Sequence, residues 1–164
     1  MSEGVHDPLV TWRGTVSPDW VDYNGHLRDA YYGLIFSFAT DAWMEQIGLD
    51  ASGRAQTGHT IYTLESHQNF LLEVSVDTAV EVRSQILGAD HKRVHLFHRL
   101  LRSDQAALLA TNELMLCNID TTGPRSAAFA PSVAARLLPM VQAHGHWPRP
   151  PQAGRSIALP TAKP

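Results

Sequence analysis

Within five residues, Asp22-Tyr23-Asn24-Gly25-His26 sets a carboxylate, an amide and an imidazole just ahead of a helical segment. The first backbone N–H groups of a helix lack intrahelical partners and sit at the positive end of its dipole. A carbonyl oxygen placed there is stabilised as it gains negative charge. A neighbouring carboxylate can activate water or attack the carbonyl carbon itself. Asp22 is therefore the candidate nucleophile or base, and Gly25 and His26 complete its loop. The same residue types also make ordinary turns, in which Asp22 and Asn24 only hydrogen-bond their own backbone. Spacing alone leaves both readings open.

Other groups invite chemistry less directly. His91, His95 and His98 have helical spacing but fall on a turn and a strand, where His95 and His98 face opposite sides and cannot share one ion. No metal site is expected. Glu65 and His67 share strand parity with Ile61 and Thr63, either as surface carboxylate and imidazole or as part of a site. Cys117 reads as a small buried apolar group.

These residues need elements to hold them. Val10, Trp12, Gly14 and Val16 alternate with polar neighbours, the period of a half-buried strand, and Pro18 stops it. From about Asp29, a candidate N-cap, to Ile47 the chain reads as a helix with Gly48 as its stop. Ser37, Asp41 and Glu45 form its narrow polar stripe, so it should be buried on most sides. After a connection over 51–58, strand-like runs follow at Ile61–Phe70, Val80–Ile86, Arg93–Arg102 and Leu108–Ile119. Ser132–His144 is a short amphipathic helix, and five of the ten prolines lie from Trp147 onward, in an extended tail. The order implies one α+β domain over 8–145, an antiparallel five-stranded sheet around one long buried helix, with a tail over 146–164.

Composition narrows the class. Thirteen Lys plus Arg against sixteen Asp plus Glu give a net charge of −3, without the basic stripe of a nucleic-acid binder. A single cysteine excludes an intrachain disulfide. Neither a membrane-spanning run nor a signal peptide is evident, which predicts a cytoplasmic protein with no membrane partner.

The loop Asp22-x-x-Gly25-His26, followed by Asp29-Ala30-Tyr31-Tyr32 and four strands, resembles the hotdog-fold acyl-CoA thioesterases of the 4-hydroxybenzoyl-CoA thioesterase type. Three runs resemble more narrowly the betainyl-CoA thioesterases of carnitine breakdown, including those fused to L-carnitine dehydrogenases. They are Trp20 to His26, Tyr62 to His67, and Leu87 to His98. The resemblance implies a homodimer or a dimer of dimers, acting on an acyl-CoA whose CoA is part of the substrate, without cofactor or metal. Asp22 would be nucleophile or base, and the N–H groups of Asp29, Ala30 or Tyr31 would polarise the thioester carbonyl. Arg28 stands where the wider family often has Asn. It would attract CoA phosphate or pair with Asp29. Lys92 and Arg93 would meet CoA phosphates or remain solvated. Asn24, Tyr32, Tyr62 and Glu65 would bind the substrate, although Tyr31, Tyr32 and Tyr62 also read as core aromatics that chiefly supply buried area. An acyl-thioester hydratase of the same fold and a non-catalytic acyl-CoA binding module are the alternatives.

Overall fold

The alternating runs become strands and the uncharged run becomes a helix, in a computed structural model that describes residues 9–161. In chain order the elements are β1 (Leu9–Thr15), α1 (Asp29–Gln46), α2 (Ala51–Thr57), β2 (His59–Phe70) and β3 (Ala79–Ala89). They continue with β4 (Arg93–Arg102), β5 (Leu108–Asp120), β6 (Arg125–Ser126) and α3 (Pro131–His144). Residues 1–8 and 162–164, which include the first residue and the last three of the expected domain and tail, lie outside the described residues. No described helix is long and apolar enough to cross a membrane.

The strands form one antiparallel sheet in the order β1-β3-β4-β5-β2, with the two-residue β6 appended to the end of β5. The sheet curls around α1. Tyr32, Ile35, Phe36, Ala39, Trp43 and Met44 project from the helix into the core, where Trp43 and Ile35 are fully buried. Burying such a side chain contributes about 1.5–3 kcal/mol, so this face holds the helix against the sheet. In a single chain the other flank stays open, and Ser37, Phe38, Asp41 and Glu45 are exposed along it. The expectation of burial on most sides is thus corrected to one broad face.

Three local details also depart from expectation. Arg28, not Asp29, occupies the N-cap, in extended conformation and without a side-chain cap. The connection over 51–58 contains α2, because the Asp50 carboxylate accepts from the Gly53 N–H at 2.8 Å and secures its first turn. Gly48 does end α1, turning the chain at φ +87°, a region that disfavours side chains.

A bulge in β2 redirects its side chains. Thr63 pairs with Leu116 and Glu65 with Met115, so Leu64 is the extra residue and the facing reverses beyond it. Ile61, Thr63 and Gln68 look toward α1, whereas Glu65 and His67 look outward beside His95 and Glu113. The expected shared face of Glu65 and His67 with Ile61 and Thr63 is therefore wrong. His95 and His98 do lie on opposite faces of β4: His95 bonds Glu113 at 2.6 Å outside, and His98 is fully buried inside.

Under α1, His98 joins a chain of buried hydroxyls. The Thr40 hydroxyl donates to the Phe36 carbonyl at 3.0 Å, so it accepts from His98 Nε2–H at 3.0 Å. His98 Nδ1 then accepts from Ser84, whose oxygen accepts from Thr11, both at 2.7 Å. Burial pushes His98 down to about 3, so it is neutral at physiological pH.

At the free end of β3, past its last pairing with β1 at Ser84, the Ile86 N–H donates to His144 Nδ1 at 2.9 Å. His144 stacks on Trp147, which starts the tail. The tail then turns back over the outer face, and the Gly154 N–H donates to Glu113 at 2.7 Å.

A folded pKa below the unfolded value near 6.5 makes the His98 contribution complete above about pH 6.5 and progressively lost toward pH 3. Urea unfolding of His98→Gln between pH 7 and 4 should therefore show a shallower loss of stability than the wild type. Parallel curves for the two proteins would refute a neutral His98 core.

Candidate active site

The loop before α1 is clamped from two sides. On one, Val21 pairs with Leu27, and the Asp22 N–H donates to the His26 carbonyl at 2.9 Å. The Arg28 N–H reaches back to the Trp20 carbonyl at 3.0 Å. On the other, the Leu27 N–H donates to Val74 at 2.9 Å and the Val76 N–H to Gly25 at 3.1 Å. Gly25 closes the turn at φ +76°, which a residue with a Cβ adopts only under strain.

Inside this clamp the Asp22 carboxylate is oriented. Its Oδ1 accepts from the Asn24 N–H at 2.8 Å and from the His26 N–H at 3.2 Å. The His26 N–H is the main cause holding this carboxyl below its usual range, so it is ionised at neutral pH. Among the described residues, nothing donates to Oδ2. The Asx-turn and chemical readings of Asp22 are thus compatible: one oxygen makes the turn and the other remains free to react.

The three N–H groups expected to polarise a carbonyl differ. That of Ala30 donates to the Asp29 carboxylate at 2.8 Å, and that of Tyr31 donates to the Arg28 carbonyl at 3.0 Å. The Asp29 N–H has no acceptor among the described residues. It alone of the three is open at the positive end of the eighteen-residue α1.

Side chains around the loop are held by packing. Tyr31 stacks on Trp20 with centroids 6.1 Å apart, and Tyr32 is buried, edge-on to Phe70 at 5.1 Å. The Tyr32 hydroxyl donates to the Leu72 carbonyl at 3.4 Å, and burial raises its pKa, with the charge of Glu73 adding to the shift. Arg28 turns its Nε to the Val21 carbonyl at 3.2 Å rather than to Asp29. His26 Nδ1 lies 3.4 Å from Glu73 Oε2.

A cleft of about 270 Å³ opens beside the helix start, with Asp29, Tyr32, Phe70, Leu72 and Glu73 in its walls. Glu73 is the site residue that sequence reasoning missed. It follows β2 directly in Leu71-Leu72-Glu73, where an apolar run ending in a single carboxylate was the available signal. A second recess, of about 310 Å³, lies on the open flank of α1, where Asp41 faces Thr63, Gln68 and Asn112.

The remaining expected residues lie elsewhere in the chain. Tyr62 alternates with Ile61 and Thr63, so it points to the outer face, as Glu65 does beyond the bulge. Lys92 ends the β3–β4 turn and Arg93 opens β4, at the other end of the eleven-residue β3 and roughly 30 Å along it from the Asp22 loop. There Arg93 is paired with Asp90 at 2.7 Å, and Lys92 Nζ donates to Ser126 at 3.3 Å. One chain therefore brings together Asp22, Asn24, Gly25, His26, Arg28, Asp29, Ala30, Tyr31 and Tyr32, but not Tyr62, Glu65, Lys92 or Arg93.

Known proteins share this architecture and sequence. A betainyl-CoA thioesterase of Pseudomonas aeruginosa is 49% identical over 155 residues, covering 94% of this chain and 98% of that protein. An L-carnitine dehydrogenase/betainyl-CoA thioesterase of Agrobacterium fabrum is 39% identical over 92% of this chain, which spans 30% of that longer protein. A Staphylococcus aureus protein solved in complex with CoA superposes with a TM-score of 0.86 at 32% identity, covering 94% of this chain and 98% of its own. The family description that matches residues 16–137 agrees with both the sequence relatives and the curled sheet around α1, and the chain belongs to the thioesterase-like superfamily.

Proposed function

We propose that this thioester hydrolase acts on betainyl-CoA, releasing the free acid and CoA as a step of carnitine breakdown. The observation that carries the mechanism is an ionised Asp22 with one oxygen fixed and one free, in the clamped loop that leads directly into the open Asp29 N–H. The thioester carbonyl oxygen docks at that N–H. Asp22 then attacks the carbonyl carbon, or removes a proton from an attacking water, and the oxygen charge that develops is met by the helix dipole. Collapse of the tetrahedral intermediate breaks the C–S bond and expels the CoA thiolate, giving the free acid directly where water attacked; where Asp22 attacked, a water then hydrolyses the acyl-Asp22 anhydride to the free acid and restores the carboxylate. The chemistry needs no metal or further cofactor, because carboxylate and N–H supply both base and oxyanion site.

The identity of the acyl group rests on the relatives, one of which is 49% identical across nearly its full length. A carboxylate with one free oxygen, held in the loop that leads to an open helix N–H, favours hydrolysis over mere ligand binding. A hydratase reading has less support, since the helix acids Asp41 and Glu45 lie exposed on the far part of α1 with no histidine on that helix.

We place the active unit as a homodimer. β2 is an edge strand of twelve residues, and Tyr62 and Leu64 along it are about half exposed, at 47% and 55%. Such an edge is covered when a second copy pairs with it. That pairing would also bring Tyr62 and Glu65 of β2 close to a second copy.

Thiol release across betainyl-, isovaleryl-, 4-hydroxybenzoyl- and long-chain acyl-CoA should give the highest kcat/KM for betainyl-CoA. Equal or higher values for the uncharged substrates would remove the betaine assignment and leave a general acyl-CoA thioesterase. Sedimentation at assay concentration should give twice the 18.1 kDa chain mass or a multiple of it. An active monomer would contradict the shared edge.

A further inference from the structure

We infer that Glu73, with the ring of Phe70, forms the subsite that recognises a quaternary ammonium on the acyl group, and so determines specificity. The inference rests on the betainyl-CoA reading and names the residues that would enforce it.

The chemistry of the acyl group fixes where such a subsite must be. In betaine one methylene separates the nitrogen from the carbonyl carbon, so ordinary bond lengths put them only roughly 2.5 Å apart. The cation therefore sits almost on top of the reacting centre. A carboxylate on the outer face of β2, where Glu65 lies, cannot serve it in the same chain. Asp41 is twelve residues along α1 from Asp29, or about 18 Å at the helical rise, and is excluded in the same way.

The cleft at the start of α1 meets the requirement. Asp29, whose N–H is the open donor, and Glu73 both line it, and no Lys or Arg does. Tyr32 and Phe70 supply aromatic surface, and Leu27 and Leu72 supply apolar walls. A trimethylammonium has no N–H to donate, so aromatic faces and nearby negative charge are what can recognise it.

The charges facing the cleft are not cancelled from within. The Asp29 carboxylate accepts only from the Ala30 N–H, and Arg28 is turned to a carbonyl. Glu73 is 79% exposed and has one neighbour of opposite tendency, the His26 ring at 3.4 Å, which is charged only when protonated. Its field reaches the cleft, since it adds to the raised pKa of the Tyr32 hydroxyl. Phe70 is 52% exposed beside it, so its ring has surface left for a ligand.

The test compares betainyl-CoA with 3,3-dimethylbutyryl-CoA, in which carbon replaces nitrogen and the shape is kept. Wild-type enzyme should prefer the charged substrate, and a wild type without that preference would sink the betaine reading itself. Glu73→Gln should lower the charged-to-neutral ratio of kcat/KM at least about fivefold. Phe70→Leu should lower it in the same direction. If the wild type prefers the charged substrate and both variants keep that preference, the subsite is elsewhere and the betaine reading stands. An equal loss on both substrates in Glu73→Gln would likewise overturn the assignment, because it would make Glu73 a support for the loop. Thermal unfolding of the exposed Glu73→Gln variant separates that outcome from a folding defect.

Discussion

The site depends on one constraint, the clamping of residues 21–28 between the segment that precedes it and the β2–β3 connection. Four backbone bonds do this, from Asp22 to His26, Arg28 to Trp20, Leu27 to Val74 and Val76 to Gly25. Each pairs a backbone N–H and C=O of the loop or of the segments that flank it, groups that would otherwise be left without partners. Together they fix the direction in which α1 enters the sheet. They also decide which N–H remains open, because Ala30 and Tyr31 are satisfied locally and Asp29 is not. The same bonds carry Glu73 into the vicinity of His26. Carboxylate, donor and cleft are thus consequences of one backbone arrangement.

The sheet and its buried polar chain keep that arrangement rigid. α1 is anchored by Ile35, Phe36, Ala39 and Trp43 along its length. Beneath it the hydroxyls of Thr40 and Ser84 satisfy the two nitrogens of the fully buried His98, and Thr11 in turn bonds Ser84. A buried imidazole left unpaired would cost on the order of 1–3 kcal/mol, so the full set of bonds is what makes it tolerable there. The helix start is therefore held at its own end by backbone bonds and from below by a packed core in which His98 is fully paired.

Much of this is legible in the sequence. The uncharged run after Asp29 announces a helix with a broad apolar face, and the alternation in four later runs announces the sheet around it. Asp22-x-x-Gly25-His26 marks the loop through its resemblance to the hotdog thioesterases, since its residue types by themselves fit an ordinary turn as well. What escapes is whatever depends on register. The bulge at Leu64 reverses the facing of Glu65 and His67, and nothing in Thr63-Leu64-Glu65 signals it. Glu73 escapes because its importance comes from the Leu27–Val74 pairing, a contact between segments nearly fifty residues apart. The hydroxyl chain escapes for the same reason, since Thr11, Thr40, Ser84 and His98 meet only once strand order is known.

The central claim is that the unpartnered oxygen of Asp22 performs the chemistry. Thiol release by Asp22→Asn tests it most directly, because the amide retains the acceptor oxygen that makes the loop turn while removing the charge. The account predicts that kcat falls at least about a hundredfold, as for loss of a general base, with the fold and its melting temperature little changed. Near-normal turnover by a folded Asp22→Asn protein would contradict the account and reduce Asp22 to a turn residue.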